Sequence, residues 1–327
     1  MLPGARSLRS RFGEDLEILP RTLIVGAGAV GGYFGAKLAR AGREVIFTAR
    51  GEQLRALREQ GLELQSIEGN FTLSTIRAVE SPRGEGPFAL VLVCVKAQHT
   101  ETALRDLAAE LAADPLVLSL QNGVESEPMI ERLLGLPPML RALAYVGAEI
   151  VAPGVLRHAS GGTIVVGEPD DRRSPRLERL ERFLKDAAIE VAVPPSIARA
   201  KWQKLAWNAS FNVISALSGA TIGAALADPE SRRLVEAAMR EVEAVAQVQG
   251  IQFDPDHIPR VLRHAERNLG FVRPSTLQDR QKGKPLEHAA LTGAVVRFGA
   301  RFGVPTPVCQ TLDALASLIS KNAQEAA

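Results

Sequence analysis

Only two of the 327 residues are cysteine. Cys94, in an apolar run, and Cys309, far downstream, make neither a disulfide framework nor a metal cluster; that pattern fits a reducing, cytoplasmic setting with no metal expected. No apolar run approaches a membrane span, the longest lying near Leu23 and Leu90. Nor is there an excess of charge: 39 basic residues against 37 acidic give a formal +2, no handle for nucleic acid or an anionic membrane. Repeats and low-complexity tracts are missing too. The first twenty residues hold Arg6, Arg9 and Arg11 but no apolar segment, and Glu14, Asp15 and Glu17 follow. That is a poor signal peptide, and residues 1–20 are expected to form a disordered extension outside the fold. What remains is 46% hydrophobic and long enough for two domains with their own cores.

The feature that orders the chain is Thr22-Leu-Ile-Val-Gly26-Ala-Gly28-Ala29-Val30-Gly31-Gly32. A β-prone run enters a G-x-G-x-x-G turn, and a helical segment leaves it for Gly42. Gly26 suits a tight turn, Gly28 lets a pyrophosphate approach the backbone, and Gly31 lets helix and strand pack closely. The N–H groups of the following first turn, at Ala29 and Val30, face the anion. Such a turn also occurs for structural reasons alone, but here a strand and a helix flank it as dinucleotide binding requires. The next strand, Glu44 to Thr48, ends near Arg50, where an NAD site would carry Asp or Glu. A guanidinium there takes a 2′-phosphate in bidentate fashion, so NADP(H) is the expected cofactor; otherwise Arg50 is a solvated loop residue.

A helix is expected from Arg50 to Gln60, then a hairpin, Leu62 to Ile67 with Phe71 to Ile76, around Glu68-Gly69-Asn70. Leu90 to Val95 reads as a strand buried on both faces, followed by a helix from Thr100 to Leu111 and a short strand from Val117 to Leu120. The alternation predicts a parallel sheet, whose ligands sit beyond the carboxyl ends of the strands. Lys96 and Asn122 fall at such ends, which places them beside the nucleotide; as plain structure they are a solvated strand terminus and a turn residue. Leu140 to Ile150 and Val155 to Glu168 read as strands around Pro153-Gly154, with a break at Gly161-Gly162. A helix, Ser174 to Ala187, and a strand, Glu190 to Val193, lead to Pro194-Pro195-Ser196, the expected domain boundary.

Residues 196–327 read as helices, the first from Ile197 to Leu217, others opening at Asp228-Pro229 and Asp254-Pro255, running from Leu286 to Phe302, and starting at Val308. On the first, Lys204, Asn208 and Asn212 recur every fourth residue and so share one face. Asparagine is disfavoured inside helices, and the rest of this one is largely apolar, so the stripe is expected to line a cleft rather than face solvent. Facing a nicotinamide, Lys204 would act as general acid for a ketone receiving hydride, with the asparagines gripping substrate oxygens.

With Val95-Lys96-Ala97, Gln121-Asn122-Gly123, Pro153-Gly154-Val155, Trp202-Gln-Lys204-Leu-Ala-Trp-Asn208 with Asn212, Ser275-Thr-Leu-Gln-Asp279 and Glu287, the chain resembles the ketopantoate reductases. The resemblance runs through most of the chain after the extension. It implies an α/β Rossmann-type dinucleotide-binding domain, residues 21–195, followed by an all-α C-terminal domain, residues 196–327. It implies NADPH-dependent reduction of 2-dehydropantoate to pantoate, with Lys204 as acid and Glu287 close by, helping to hold it. Asn208, Asn212 and Ser275 would bind substrate, and Gly26, Gly28, Ala29, Val30, Gly31, Arg50, Lys96 and Asn122 the cofactor. A cytoplasmic homodimer is the matching expectation, with a small 2-oxo acid as its other partner. Read locally, Ser275 and Gln278 also form a capping box, and Glu287 a first-turn acid.

The chain departs from the family where a further substrate-binding asparagine can stand: it has Ile222 beside Thr221, which leaves the reaction type in place and the substrate open. The rivals are a reductase of another 2-oxo acid, a 3-hydroxy acid dehydrogenase, and a non-catalytic NADP(H)-binding redox sensor. The Gln121 to Gly123 turn and the Ser275 to Glu287 segment argue against the second, and an intact Lys204 and Glu287 against the third.

Overall fold

The computed structural model describes residues 21–325, so the expected N-terminal extension lies outside the described residues. Four-residue strands β1 (Thr22–Val25) and β2 (Val45–Thr48) are buried throughout, as is β6 (Phe88–Val93). With β5 (Arg77–Val79) and β7 (Leu111–Ser119) they form a five-stranded sheet, parallel at every pairing, in the order β5-β2-β1-β6-β7. Side-chain alternation splits these apolar runs between two faces. Ile24, Phe47, Leu90 and Leu92 join one core, while Leu23, Val25, Ile46, Val91 and Val93 join another. Helices α3 (Thr100–Leu104) and α4 (Ser126–Leu134) cover the second face, which is why these strands read as continuous apolar runs.

On the first face lies α1 (Ala29–Arg40), and beyond it a second, mixed sheet that the alternation of strands and helices did not predict. It contains β3 (Leu62–Ser66), β4 (Phe71–Leu73), β8 (Arg141–Ala152), β9 (Val155–Gly167) and β10 (Glu190–Ala192), with β8 paired, among the described residues, only to β9. The β3–β4 hairpin is antiparallel as expected, and β3 also pairs in parallel with β9, Glu63 opposite Val155. Glycines bring α1 close to both sheets: a Cβ on Gly35 would lie 2.3 Å from the Phe47 ring, and one on Gly32 2.9 Å from Leu156. Two expectations are corrected. Gly161 and Gly162 make a bulge inside a continuous β9 rather than a break. The helix expected over Thr100 to Leu111 ends at Leu104, because Leu111 already pairs with Phe88 as the start of β7. Tertiary pairing overrides local helix preference there.

Helices α2 (Gly51–Glu59) and α5 (Pro175–Asp186) belong to the first part; after β10 the chain is helical: α6 (Ile197–Trp207), α7 (Val213–Ser218), α8 (Ile222–Ala227), α9 (Pro229–Gln247), α10 (His257–Asn268), α11 (Ser275–Gln281), α12 (Thr292–Phe302) and α13 (Pro307–Glu325). The sequence reading missed α8 and α11 and began α12 too early, where a 3₁₀ turn, His288–Ala290, precedes it. The Asp228 carboxylate caps α9, accepting from Ser231 N at 2.7 Å, and Pro229 occupies its first turn. Along α9, Val235, Ala238, Met239, Val242, Val245 and Ala246 are buried at helical spacing, and this stripe is the spine of the second core.

Candidate active site

The glycine turn has the geometry its sequence demands. Gly26 sits at φ 98°, where a Cβ would strike Val95 at 2.6 Å, and a Cβ on Gly31 would lie 2.2 Å from the Gly26 carbonyl oxygen. At Gly28 a Cβ would meet nothing within 4 Å among the described residues, so they leave the space over it open. Gly28 is the N-cap of α1; among the described residues no side chain caps this end, and no acid stands in the first turn. The N–H groups beginning at Ala29 and Val30 therefore keep their capacity for an anion. Thr48 Oγ1 accepts from Gly26 N at 2.9 Å, and Gln53 pins the turn from outside, donating to Ala27 O at 3.1 Å while accepting from Gly154 N at 3.0 Å. Gln53 was not singled out in the sequence; its partners lie on other elements. Arg50 is exposed between β2 and α2, and its guanidinium makes no hydrogen bond or ion pair among the described residues. The open Gly28, the uncapped helix end and the unpartnered guanidinium fit a phosphorylated dinucleotide.

The two asparagines of the polar stripe are buried and Lys204 is partly so, which excludes a solvated face. Asn208 and Asn212 are 4% and 5% exposed. The helix widens into a π turn over Asn208–Asn212 between α6 and α7, a distortion that concentrates at functional sites. Asn212 donates to the Asn208 side-chain oxygen at 3.0 Å, and Asn208 donates to that of Asn122 at 3.2 Å. Three amides thus run from the helical part to the end of β7.

Lys204 donates to the carbonyl of Ala144 at 2.6 Å. One turn earlier, Lys201 donates to that of Ala142 at 3.0 Å and pairs with the buried carboxylate of Glu127. Because β8 pairs with β9 alone among the described residues, carbonyls on its other edge are available to both lysines. Burial lowers the Lys204 ammonium to about 8, with the Lys201 charge adding to the effect and Glu287 opposing it. Glu287 makes no ion pair with Lys204 among the described residues, so the expected direct hold is replaced by the Ala144 carbonyl. Its carboxylate instead accepts from Ala97 N at 3.2 Å. Burial raises the Glu287 pKa, against the pull of Lys96, the Ala97 N–H and the Asn122 amide.

Lys96 is bound across the cleft to Asp279 of α11 at 2.6 Å. Ser275 stands exposed at the start of α11, and its hydroxyl makes no hydrogen bond among the described residues. The capping box is not formed either: the Gln278 amide donates to Arg273 O. At the departure from the family pattern, Thr221 caps α8 by accepting from Ala224 N at 3.3 Å, and Ile222 is fully buried in the helical core. The structure brings Lys204, Asn208, Asn212, Asn122, Lys96 and Glu287 into one neighbourhood, whereas Ser275 makes no hydrogen bond to any of them. Asp279, Lys201, Glu127 and Tyr145 belong to the same neighbourhood and were missed as site residues, although Asp279 stood in a quoted motif.

The description "Ketopantoate reductase PanE/ApbA" matches residues 22–171, and "Ketopantoate reductase PanE/ApbA C terminal" matches residues 196–320. The chain is 33% identical over 323 residues to the 2-dehydropantoate 2-reductase of Mesorhizobium japonicum, covering 92% of this chain and 97% of that protein. It is 32% identical to the 2-dehydropantoate 2-reductase of Archaeoglobus fulgidus, covering 89% and 95%. Among solved structures it is similar to a PanE/ApbA family ketopantoate reductase from Ralstonia eutropha, with a TM-score of 0.86 and 32% identity over 93% of this chain and 99% of that one.

Proposed function

The chain belongs to the PanE/ApbA ketopantoate reductase family, and on that premise we propose that it reduces 2-dehydropantoate to (R)-pantoate with NADPH, Lys204 donating the proton. The observation that carries this reading is the placement of Lys204, held on the Ala144 carbonyl one turn from a line of uncharged amides; burial, which lowers its ammonium to about 8, makes it a better acid than an ordinary lysine. NADPH, when bound, supplies the hydride. As hydride reaches the C2 ketone, negative charge grows on the substrate oxygen; Lys204 stabilises that charge and transfers its proton to the oxygen. Asn208 and Asn212 hold substrate oxygens without adding charge. Asn122 links them to the cofactor side, and Glu287 tempers the Lys204 ammonium from a distance. Ser275 is assigned to the substrate rim and Lys96 to the cofactor, with the division between the cofactor-binding and helical domains at 195/196. A homodimer, a cytoplasmic location and a place in pantothenate and coenzyme A biosynthesis belong to the same reading, supported by family membership.

The test is steady-state oxidation of NADPH by the purified protein with 2-dehydropantoate set against a panel of 2-oxo acids. A preference for 2-dehydropantoate with kcat/KM above roughly 10⁴ M⁻¹s⁻¹ is expected. Stronger turnover of another 2-oxo acid would keep the reaction and overturn the substrate; tight NADPH binding with no turnover would overturn the enzyme itself.

Arg50 sets the cofactor. Charge-assisted contacts to a 2′-phosphate are worth about 1.5–3 kcal/mol, and a carboxylate in its place adds repulsion. Arg50→Asp is therefore expected to shift the ratio of kcat/KM for NADPH over NADH by about 100-fold towards NADH. An unchanged ratio would remove Arg50 from the phosphate site.

A further inference from the structure

We propose that Tyr145 is a positioning residue for the proton donor, its ring holding the Lys204 side chain in the charged form. This rests on Lys204 being the acid, as read above. Tyr145 lies on β8 next to Ala144, whose carbonyl takes the one hydrogen bond that Lys204 makes among the described residues. The Lys204 nitrogen stands 5.5 Å from the centre of the Tyr145 ring, within the range where an aromatic face attracts a cation. Core packing does not explain the residue: Tyr145 is 47% exposed.

The backbone is built to aim it. Leu143, two residues earlier on the same face of β8, packs with Ile197 at the start of α6, and Tyr145 continues that face towards Lys204, two turns further along the helix. The register of β8 against β9 slips just after Tyr145, with Tyr145 opposite Thr163 and Val146 opposite Gly161. Gly161 and Gly162 accommodate the slip at φ 72° and 120°, and a Cβ on Gly161 would lie 2.5 Å from the Tyr145 carbonyl oxygen. Bulges of this kind re-aim side chains beside active sites.

The ring matters because, beyond the Ala144 carbonyl, the charges that reach Lys204 oppose one another or are shared with other partners. Lys201, from its own helix, disfavours the ammonium, and Lys201 is itself paired with Glu127 of α4. Glu287 favours it, but answers also to Lys96, from the loop after β6, and to Asp279 of α11. An ordinary phenol titrates near 10 and that of Tyr145 is pushed higher, so the ring stays neutral while Lys204 titrates. It therefore acts through its face, not through a charge of its own.

The test compares Tyr145→Leu with Tyr145→Phe in the full chain. The Lys204 titration is read from side-chain carbon-13 NMR of labelled lysines, its signal identified by its loss in Lys204→Met, and the alkaline limb of kcat is measured alongside. Leucine is expected to move the Lys204 pKa and the alkaline limb down together by about half to one pH unit, with phenylalanine restoring both. A leucine variant that titrates like the wild type, or a phenylalanine variant that behaves like leucine, would overturn the role of the ring. If the NMR titration moves while the kcat limb stays put, the ring does hold Lys204, and it is the assignment of Lys204 as the acid that fails.

Discussion

Lys204→Ala is expected to lower kcat by about 10³- to 10⁴-fold. Positioned general acids contribute about 10²–10⁴, and loss of charge stabilisation at the forming alkoxide overlaps with that rather than multiplying it. The same substitution should not unfold the chain, because Lys204 makes no ion pair among the described residues and gives up a single hydrogen bond, to Ala144 O. Stability should in fact rise, and Lys204→Met shows this best because it keeps the side-chain volume. The folded chain holds the ammonium at about 8 against an ordinary 10.5. Below pH 8 both folded and unfolded chains carry the proton, and the fold bears the whole cost of burying it. Between pH 8 and 10.5 the unfolded chain binds more protons than the folded one, so wild-type stability climbs with pH; above 10.5 the cost has gone. Lys204→Met should therefore be more stable than the wild type by about 1–3 kcal/mol at pH 7, with the gain fading through that window. Loss of activity together with a raised Tm separates a catalytic role from a structural one. A near-normal kcat in the alanine variant would end the acid assignment.

The stripe behind that prediction was legible because α-helical spacing is short-range: Lys204, Asn208 and Asn212 declare a common face within nine residues. The π turn over Asn208–Asn212 was not, since one inserted residue leaves the composition of a helix unchanged. The parallel sheet was legible for a similar reason. Strands such as Phe88–Val93 are buried on both faces and show it as unbroken apolar runs, and the glycine turn identifies the first crossover. The second sheet depends on Glu63 finding Val155, and nothing local to either residue announces that pairing. Helices α8 and α11 are too short to establish a period, at 6 and 7 residues. The ion pairs that join the two halves of the chain were hidden by separation in sequence: Lys96 meets Asp279 across 183 positions, and Lys201 meets Glu127 across 74. Lys201, read alone, is an ordinary helix lysine. Only the fold shows it buried at 6% exposure.

That buried pair should make Glu127→Gln the most destabilising single substitution near the site, costing about 3–5 kcal/mol. Glu127 is 1% exposed, sits at the start of α4, and is also approached by Ala142 N at 3.5 Å. Glutamine keeps the shape and an acceptor but removes the charge, leaving the Lys201 ammonium buried with only Ala142 O at 3.0 Å to answer it. Thermal unfolding should show a fall in Tm of several degrees. Adding Lys201→Met removes the orphaned charge, so the double variant should recover most of the loss, a coupling that two independent defects would not show. The site should feel the change too. Lys201 already disfavours the Lys204 ammonium, and without Glu127 its charge is no longer offset, so the alkaline limb of kcat in Glu127→Gln should move to lower pH. In the double variant that limb should move back to, or above, the wild-type position. A double variant no more stable than Glu127→Gln would mean that the loss comes from packing around α4 rather than from an uncompensated charge, and the pair would then have no electrostatic hold on the proton donor.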